Sequence, residues 1–319
     1  MNPPQNFLAP ILSDLSKVEN RMRTLDDHHH QELSNALEHL LSSGGKRIRP
    51  AVALLTGRMY QGDVQRLVSL SAAIELLHTA TLVHDDLIDG ALLRRGIATL
   101  NAKWSPAATV LTGDYIFAQA ARCAAETESV YLMKQFAKTL AIIVNGEIDQ
   151  LFSTHRYSTR EEYFKRIYAK TASLFELASS AAAHLSNVSE AEVESMRQFG
   201  YALGMAFQIV DDILDFTGAQ ETVGKPVAND LRQGLITLPF ICYLEKYPED
   251  QEVQAVLGGE KANIDKLVTD IRESGAVQDA FQIARDYIRQ AVEILEVRPA
   301  CEAQKALKEL SEYVILRHI

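Results

Sequence analysis

Residues 76–90 read LLHTATLVHDDLIDG, and residues 204–216 read GMAFQIVDDILDF. In both, an apolar run closes on two adjacent aspartates, with a third after two more residues. Positions i and i+4 of a helix share a face, so Asp85 and Asp89 point the same way, and Asp211 and Asp215 repeat the spacing. Asp86 and Asp212 complete the two clusters. Like charges at the ends of apolar helical surfaces repel one another and raise their pKa values unless a cation neutralises them. Magnesium suits such a place, because it takes oxygen ligands, keeps several waters and binds through one or two carboxylates plus substrate phosphates. A solvated helix end accounts for a single cluster. Two copies with the same spacing and the same apolar lead-in point instead to a paired metal site.

Outward from these clusters the chain reads as helix nearly throughout. Ser189 precedes Glu192 by three residues and opens a segment with Val193, Met196, Phe199 and Leu203 at helical spacing; Thr159 and Glu162 repeat the capping pattern before Tyr163, Phe164 and Ile167. Alanine-rich runs at 118–125 and 178–183 also favour helix. Period-two alternation bounded by turn residues is missing, so no sheet is expected. Breaks fall at 42–45, 57–63, 105–106, 218–226 and 247–260, none long or polar enough for an interdomain linker. The reading is therefore a single all-α domain over residues 1–319, its C-terminal third serving as packing.

Composition narrows the function. The 319 residues are 47% apolar and 23% charged, enough for a sizeable core. The 32 basic and 42 acidic residues give a net charge of −10, which argues against a nucleic-acid binder. Cys123, Cys242 and Cys301 are scattered without metal-ligand spacing, as expected of free thiols in a reducing compartment. The beginning MNPPQNFLAP shows no signal-peptide pattern, and no stretch approaches the ~20 continuous apolar residues of a spanning helix, so a cytoplasmic protein is expected.

An acidic protein that binds phosphates must gather its cations locally. GGKRIRP sets Lys46, Arg47 and Arg49 behind flexible glycines, a pattern suited to an anion. Arg94 and Arg95 follow the first cluster, Lys170–Thr171 lies in a helix, and Lys225 follows Gly224 beyond the second cluster. Each alone reads as a surface charge. With two acidic clusters, they suggest two diphosphates, one held through metal and one by arginine and lysine.

GGKRIRP, HDDLIDGALLRRG, the Lys170–Thr171 pair, and GMAFQIVDDILDFTG followed by GKP resemble the signature elements of the trans-isoprenyl diphosphate synthase family, in order from about residue 40 to 239. Within it the text is most similar to bacterial long-chain synthases such as heptaprenyl and octaprenyl diphosphate synthase. The resemblance implies an all-α isoprenoid synthase fold, roughly ten or more helices around a central cavity, usually a homodimer. It implies about two to three magnesium ions on the two aspartate clusters. Arg94, Lys170 and Lys225 would grip an allylic diphosphate such as farnesyl diphosphate. Lys46, Arg49, His78 and Arg95 would hold isopentenyl diphosphate. Gln208 would align the reacting group and Phe207 would shield positive charge. His78, two turns before Asp85 on the same face, reads as binding; the triplet His28–His30 reads as surface. One departure stands out, since Leu235 occupies the place of a lysine common after the second cluster.

The chemistry so implied is ionisation of the allylic diphosphate, attack by the double bond of isopentenyl diphosphate, and loss of a proton. Product length would depend on what blocks the cavity below the first cluster. Ala80 and Thr81 are small, and Leu77 and Ile74, one and two turns deeper, are medium-sized. One turn advances about 5.4 Å, comparable with one isoprene unit, so a product of roughly six to ten units is expected. Met133 and Phe136 on a neighbouring helix read first as core packing, with the floor of the cavity as the alternative. The alternatives are a shorter-chain geranylgeranyl synthase, a catalytic subunit that needs a dissimilar regulatory partner, a terpene cyclase and a non-catalytic subunit. The second cluster and GGKRIRP count against a cyclase, and the completeness of both clusters counts against a non-catalytic subunit.

Overall fold

The structure is a computed structural model, describing residues 6–24, 30–42, 45–94, 96–152, 159–218, 227–298 and 300–316. A 3-10 turn at Asn6–Ile11 leads into α1 (Leu12–Arg23) and α2 (Gln31–Ser42), then α3 (Ile48–Met59) and α4 (Val64–Ile88). A two-stranded hairpin, β1 (Leu93–Arg94) and β2 (Ile97–Ala98), precedes α5 (Leu100–Lys103), α6 (Pro106–Ala125) and α7 (Val130–Phe152). Next come α8 (Arg160–Ile167), a π-helical turn (Tyr168–Ala172), α9 (Ser173–Leu185) and α10 (Glu190–Thr217). The remainder is α11 (Asn229–Arg232), α12 (Leu238–Lys246), α13 (Gln251–Leu257), α14 (Ile264–Glu273), α15 (Ala276–Glu296) and α16 (Glu302–Leu316).

Burial ranks these helices. In α9 (SLFELASSAAAHL) almost every side chain is buried, which is the pattern of a helix surrounded by others. It packs against α3, α4, α7 and α10. The two longest helices, α4 and α10, carry the aspartate clusters in their last turns. Asp63 caps α4 by accepting the Arg66 N–H at 2.9 Å, and Ser189 caps α10 by accepting the Glu192 N–H. Thr159 and Glu162 form the reciprocal capping box on α8 that their spacing predicts. The C-terminal third packs as expected, with α15 lying along α10. Arg272 of α14 donates from Nε at 2.6 Å to the Phe216 carbonyl, satisfying an acceptor in the last turn of α10 beside the second cluster.

Three expectations need correction. A sheet does occur, though only as the hairpin pairing Leu93 with Ala98 and Arg94 with Ile97; strands of two residues are too short to show a period. The break expected from Gly57 begins only at Tyr60, because α3 runs through Gly57, against which Leu67 of α4 packs. The break at 247–260 contains α13, whose start is fixed by Asp250 accepting the N–H groups of Glu252 and Val253. All three cysteines are free, Cys123 and Cys242 buried and Cys301 exposed. By length and composition α4 could cross a membrane, but 67% of its most apolar window is buried within the fold.

Candidate active site

The first cluster ends α4 and divides by burial. Asp86 is 7% exposed and accepts both Nε and a terminal nitrogen of Arg94, each at 2.8 Å. The hairpin makes this pair, because it folds Arg94 back over the helix end, with Thr99 Oγ1 donating to the Ala91 carbonyl at 2.7 Å to close the loop. Asp89 is exposed at the helix terminus. Between them Asp85 is half-buried, and burial pushes its carboxyl up to about 6; the Lys170 ammonium pulls down, and Glu147 and Asp89 push up.

Lys170 comes from the π-turn. Its ammonium lies 2.9 Å from Glu147 Oε1 on α7 and 3.7 Å from Asp85 Oδ2. Burial opposes its charge, but Asp85 and Glu147 outweigh that and raise its pKa. π-turns recur at functional sites, since the additional residue redirects neighbouring side chains. Here Thr171, the next residue, points the other way and donates to Gln208 Oε1 on α10 at 2.6 Å. Gln208 Nε2 donates to Asp212 Oδ1 at 2.8 Å, and the Tyr163 hydroxyl donates to Asp212 Oδ2 at 2.7 Å. Two consecutive residues therefore reach the two aspartate clusters.

The second cluster also divides. Asp212 is 4% exposed, and burial raises its carboxyl to about 7 despite the donors Gln208 and Tyr163. Asp215 accepts the N–H groups of Asn229 and Asp230, each at 3.1 Å, so its carboxylate caps α11. Asp211 is half-buried in the same turn of α10.

The cations of GGKRIRP part company. Arg49 lies over the rings of Phe175 at 4.9 Å and Phe207 at 5.8 Å. Arg47, with φ of 48°, turns inward and donates to Glu75 at 2.8 Å and Glu19 at 3.4 Å. Lys46 is exposed, its ammonium 5.7 Å from the centre of the Tyr313 ring on α16. His78 is half-buried two turns before Asp85. Ile74, Leu77 and Ala80 are fully buried along α4, and the Thr81 hydroxyl donates to the His78 carbonyl at 2.8 Å. Phe136 is buried on α7, with Met133 partly so. Leu235 is half-buried, its N–H held by the Asp230 carbonyl at 2.9 Å. Arg95, Lys225 and His28 lie outside the described residues.

The structure thus joins Asp85, Lys170, Thr171, Gln208 and Asp212, sets Arg49 over Phe207, and adds four residues that the sequence does not reveal. Glu147 reaches Lys170 from another helix. Tyr163 was read as an apolar core position, although a buried phenol needs a hydrogen-bond partner. Arg166 and Asp230 act on Asp212 by charge, Arg166 stabilising its carboxylate and Asp230 opposing it. Among the described residues no three His, Cys, Asp or Glu side chains converge on one point. The donors fit magnesium all the same: hard carboxylate oxygens, with Asp85 crowded by burial and by acidic neighbours whose repulsion a cation would relieve, and a coordination shell that substrate oxygens would complete.

Long helices thus set carboxylates and cations around one central turn, the arrangement that the sequence resemblance implies. The comparisons with known proteins agree. The family model described as polyprenyl synthetase matches residues 30–273. Component 2 of heptaprenyl diphosphate synthase from Geobacillus stearothermophilus is 36% identical over 310 residues, covering 95% of this chain and 96% of the relative. The all-trans-nonaprenyl-diphosphate synthase (geranyl-diphosphate specific) of Rhodobacter capsulatus is 33% identical over 318 residues, covering 98% of each. The crystal structure of a polyprenyl synthase from Caulobacter crescentus CB15, complexed with calcium and isoprenyl diphosphate, superposes with a TM-score of 0.91 at 34% identity, covering 100% of this chain and 99% of that one. The chain belongs to the polyprenyl synthetase family and is a prenyltransferase with the all-α isoprenoid synthase fold.

Proposed function

We propose that the chain, acting as one domain over residues 1–319, condenses isopentenyl diphosphate with an allylic diphosphate such as farnesyl diphosphate, making a long-chain all-trans polyprenyl diphosphate in the cytoplasm. The observation that carries this reading is the π-turn, whose Lys170 meets Asp85 while Thr171 meets the Gln208–Asp212 pair. A leaving diphosphate bound there would be held by the Lys170 ammonium and by Arg94. Bound magnesium, about two to three ions on Asp85, Asp89, Asp211 and Asp215 with Asp86 and Asp212 behind them, would supply further positive charge to the departing group. Arg49 beside Phe207, with Lys46 and His78, forms the side for isopentenyl diphosphate, and the aromatic face of Phe207 shields the cationic centre. Lys225 and Arg95 belong to the same proposal by sequence. Fixed donors aimed at developing charge lower the barrier most where water is excluded. Small Ala80 and Thr81 above Leu77 and Ile74, together with relatives named for seven- and nine-unit products, support a long chain.

A homodimer is part of this proposal. Val144, Ile148 and Leu151 recur along one face of α7 and are exposed, as are Phe152 at 86% and Leu111 of α6 at 68%. Apolar side chains exposed along one helix face suit an interaction surface. The relative named as a component 2 supports a second reading, in which a dissimilar subunit is needed. Purified protein incubated with farnesyl diphosphate, labelled isopentenyl diphosphate and magnesium should yield labelled long-chain product, and none with EDTA. Incorporation only after a co-purified partner is added would favour the second reading. No incorporation under either condition would overturn both.

A further inference from the structure

The structure assigns to Glu147 the role of a positioning residue: it draws the Lys170 ammonium off Asp85 and so keeps that carboxylate open to a metal ion and the ammonium open to the diphosphate. The assignment deepens the proposed function and rests on it.

Three observations support it. Lys170 lies between carboxylates of two helices and is closer to Glu147, at 2.9 Å, than to Asp85, at 3.7 Å. A lysine ammonium is a compact charge on a flexible four-carbon stem, so one carboxylate partner would hold it in direct contact and a second, placed opposite, decides where it rests. Without Glu147, the remaining partner within salt-bridge reach among the described residues is Asp85, and a closed Asp85–Lys170 pair would neutralise the carboxylate that has to receive a cation. Glu147 is also held in place by the backbone. α7 comes so near the π-turn that a Cβ built on Gly146 would stand 2.6 Å from Ala169 Cβ. The residue after Gly146 and the residue after Ala169 are Glu147 and Lys170, so the same close approach sets their separation. Finally, the side chain of Glu147 is 19% exposed, so its charge is screened less than that of a fully solvated carboxylate.

The test is a double-mutant cycle with Glu147→Ala and Lys170→Ala, with Glu147→Gln as the conservative variant. Two readouts apply, steady-state condensation at varied magnesium and calorimetric binding of magnesium with inorganic pyrophosphate to the purified protein. Condensation by the wild type checks the proposed function itself, and thermal unfolding checks each fold. Glu147→Ala should lower kcat about 10–100-fold, as expected for a misplaced group. It should also raise the magnesium half-saturation concentration severalfold while the KM for isopentenyl diphosphate changes little. In the Lys170→Ala background, Glu147→Ala should add less than about twofold in either readout, because the lysine it restrains is gone. Glu147→Gln keeps an acceptor for Lys170 and should restore part of the loss. Equal fold losses from Glu147→Ala in both backgrounds would overturn the assignment and make Glu147 a ligand in its own right. Unchanged pyrophosphate binding and unchanged kcat in Glu147→Ala would overturn it outright. Where Lys170→Ala is too slow to assay, the calorimetric cycle decides alone.

Discussion

Substituting Gly146 by alanine tests the contact between α7 and the π-turn with one methyl group. An ideal Cβ there lies 2.6 Å from Ala169 Cβ and 3.9 Å from Ala169 Cα. Carbon atoms pack best at about 3.5–4.0 Å, so the two backbones must separate by about 1 Å. The Glu147–Lys170 contact, at 2.9 Å, would then open beyond hydrogen-bonding range. Two terms govern stability. Overpacking is destabilising by about 1–3 kcal/mol. Alanine in place of glycine within a helix returns about 1 kcal/mol. The net is a loss of about 0–2 kcal/mol, which in a chain of this size lowers Tm by no more than about 8 °C. The effect on chemistry should be far larger, since a displacement of about 1 Å at a catalytic group removes about 100-fold in rate. Differential scanning calorimetry and kcat/KM for condensation, measured on the same sample, separate the two. A Gly146→Ala variant that unfolds at a higher temperature and retains full kcat/KM would refute the reasoning, because the helix-propensity gain would then stand unopposed and the close approach would be dispensable.

Three other outcomes are expected. Burial raises the carboxyls of Asp85 to about 6 and Asp212 to about 7, both above the unfolded value near 4, so their contribution to stability is complete below about pH 4 and is lost as pH rises through 6 and 7. Metal-free protein should therefore melt at a higher temperature at pH 5.5 than at pH 8, and Asp212→Asn should reduce that difference by on the order of 2 kcal/mol; an unreduced difference would contradict the raised Asp212 carboxyl. Replacing Ala80 with phenylalanine should shorten the product to about three or four units, one helical turn being comparable with one unit; unchanged chromatography of the product would sink the tunnel argument. Ile148→Asp, on the exposed face of α7, should shift light-scattering mass from dimer to monomer, and an unaltered mass would place the interface elsewhere.

Much of this was legible in the sequence because it is local. Caps at Thr159 and Ser189 declare themselves three residues ahead, and apolar spacing then carries the helix. The DDxxD spacing even holds information that grouping its members as one set conceals. If the first and last aspartates share a face, the middle one stands about 100° away. Asp86 and Asp212 are accordingly the buried members, engaged by Arg94 in one case and by Gln208 and Tyr163 in the other. What sequence could not show lies between elements. Glu147 and Lys170 are 23 positions apart and meet because two helices cross. Arg47 sits among cations yet turns inward, because its left-handed backbone aims it at Glu75. The hairpin at 93–98 has no periodicity to read, although it is what delivers Arg94.

The π-turn also bears on which changes of chain length the protein can accept. Each residue of an α-helix rotates its neighbours by about 100°. A π-turn is an α-helix holding one residue beyond its register. Loss of any one residue between Tyr168 and Ala172 would let the helix relax to ordinary winding, and would remove the bulge that sends Lys170 to Glu147 and Thr171 to Gln208. A single deletion here would uncouple the two carboxylate clusters at once. In this short segment the number of residues is constrained together with the identity of Lys170 and Thr171.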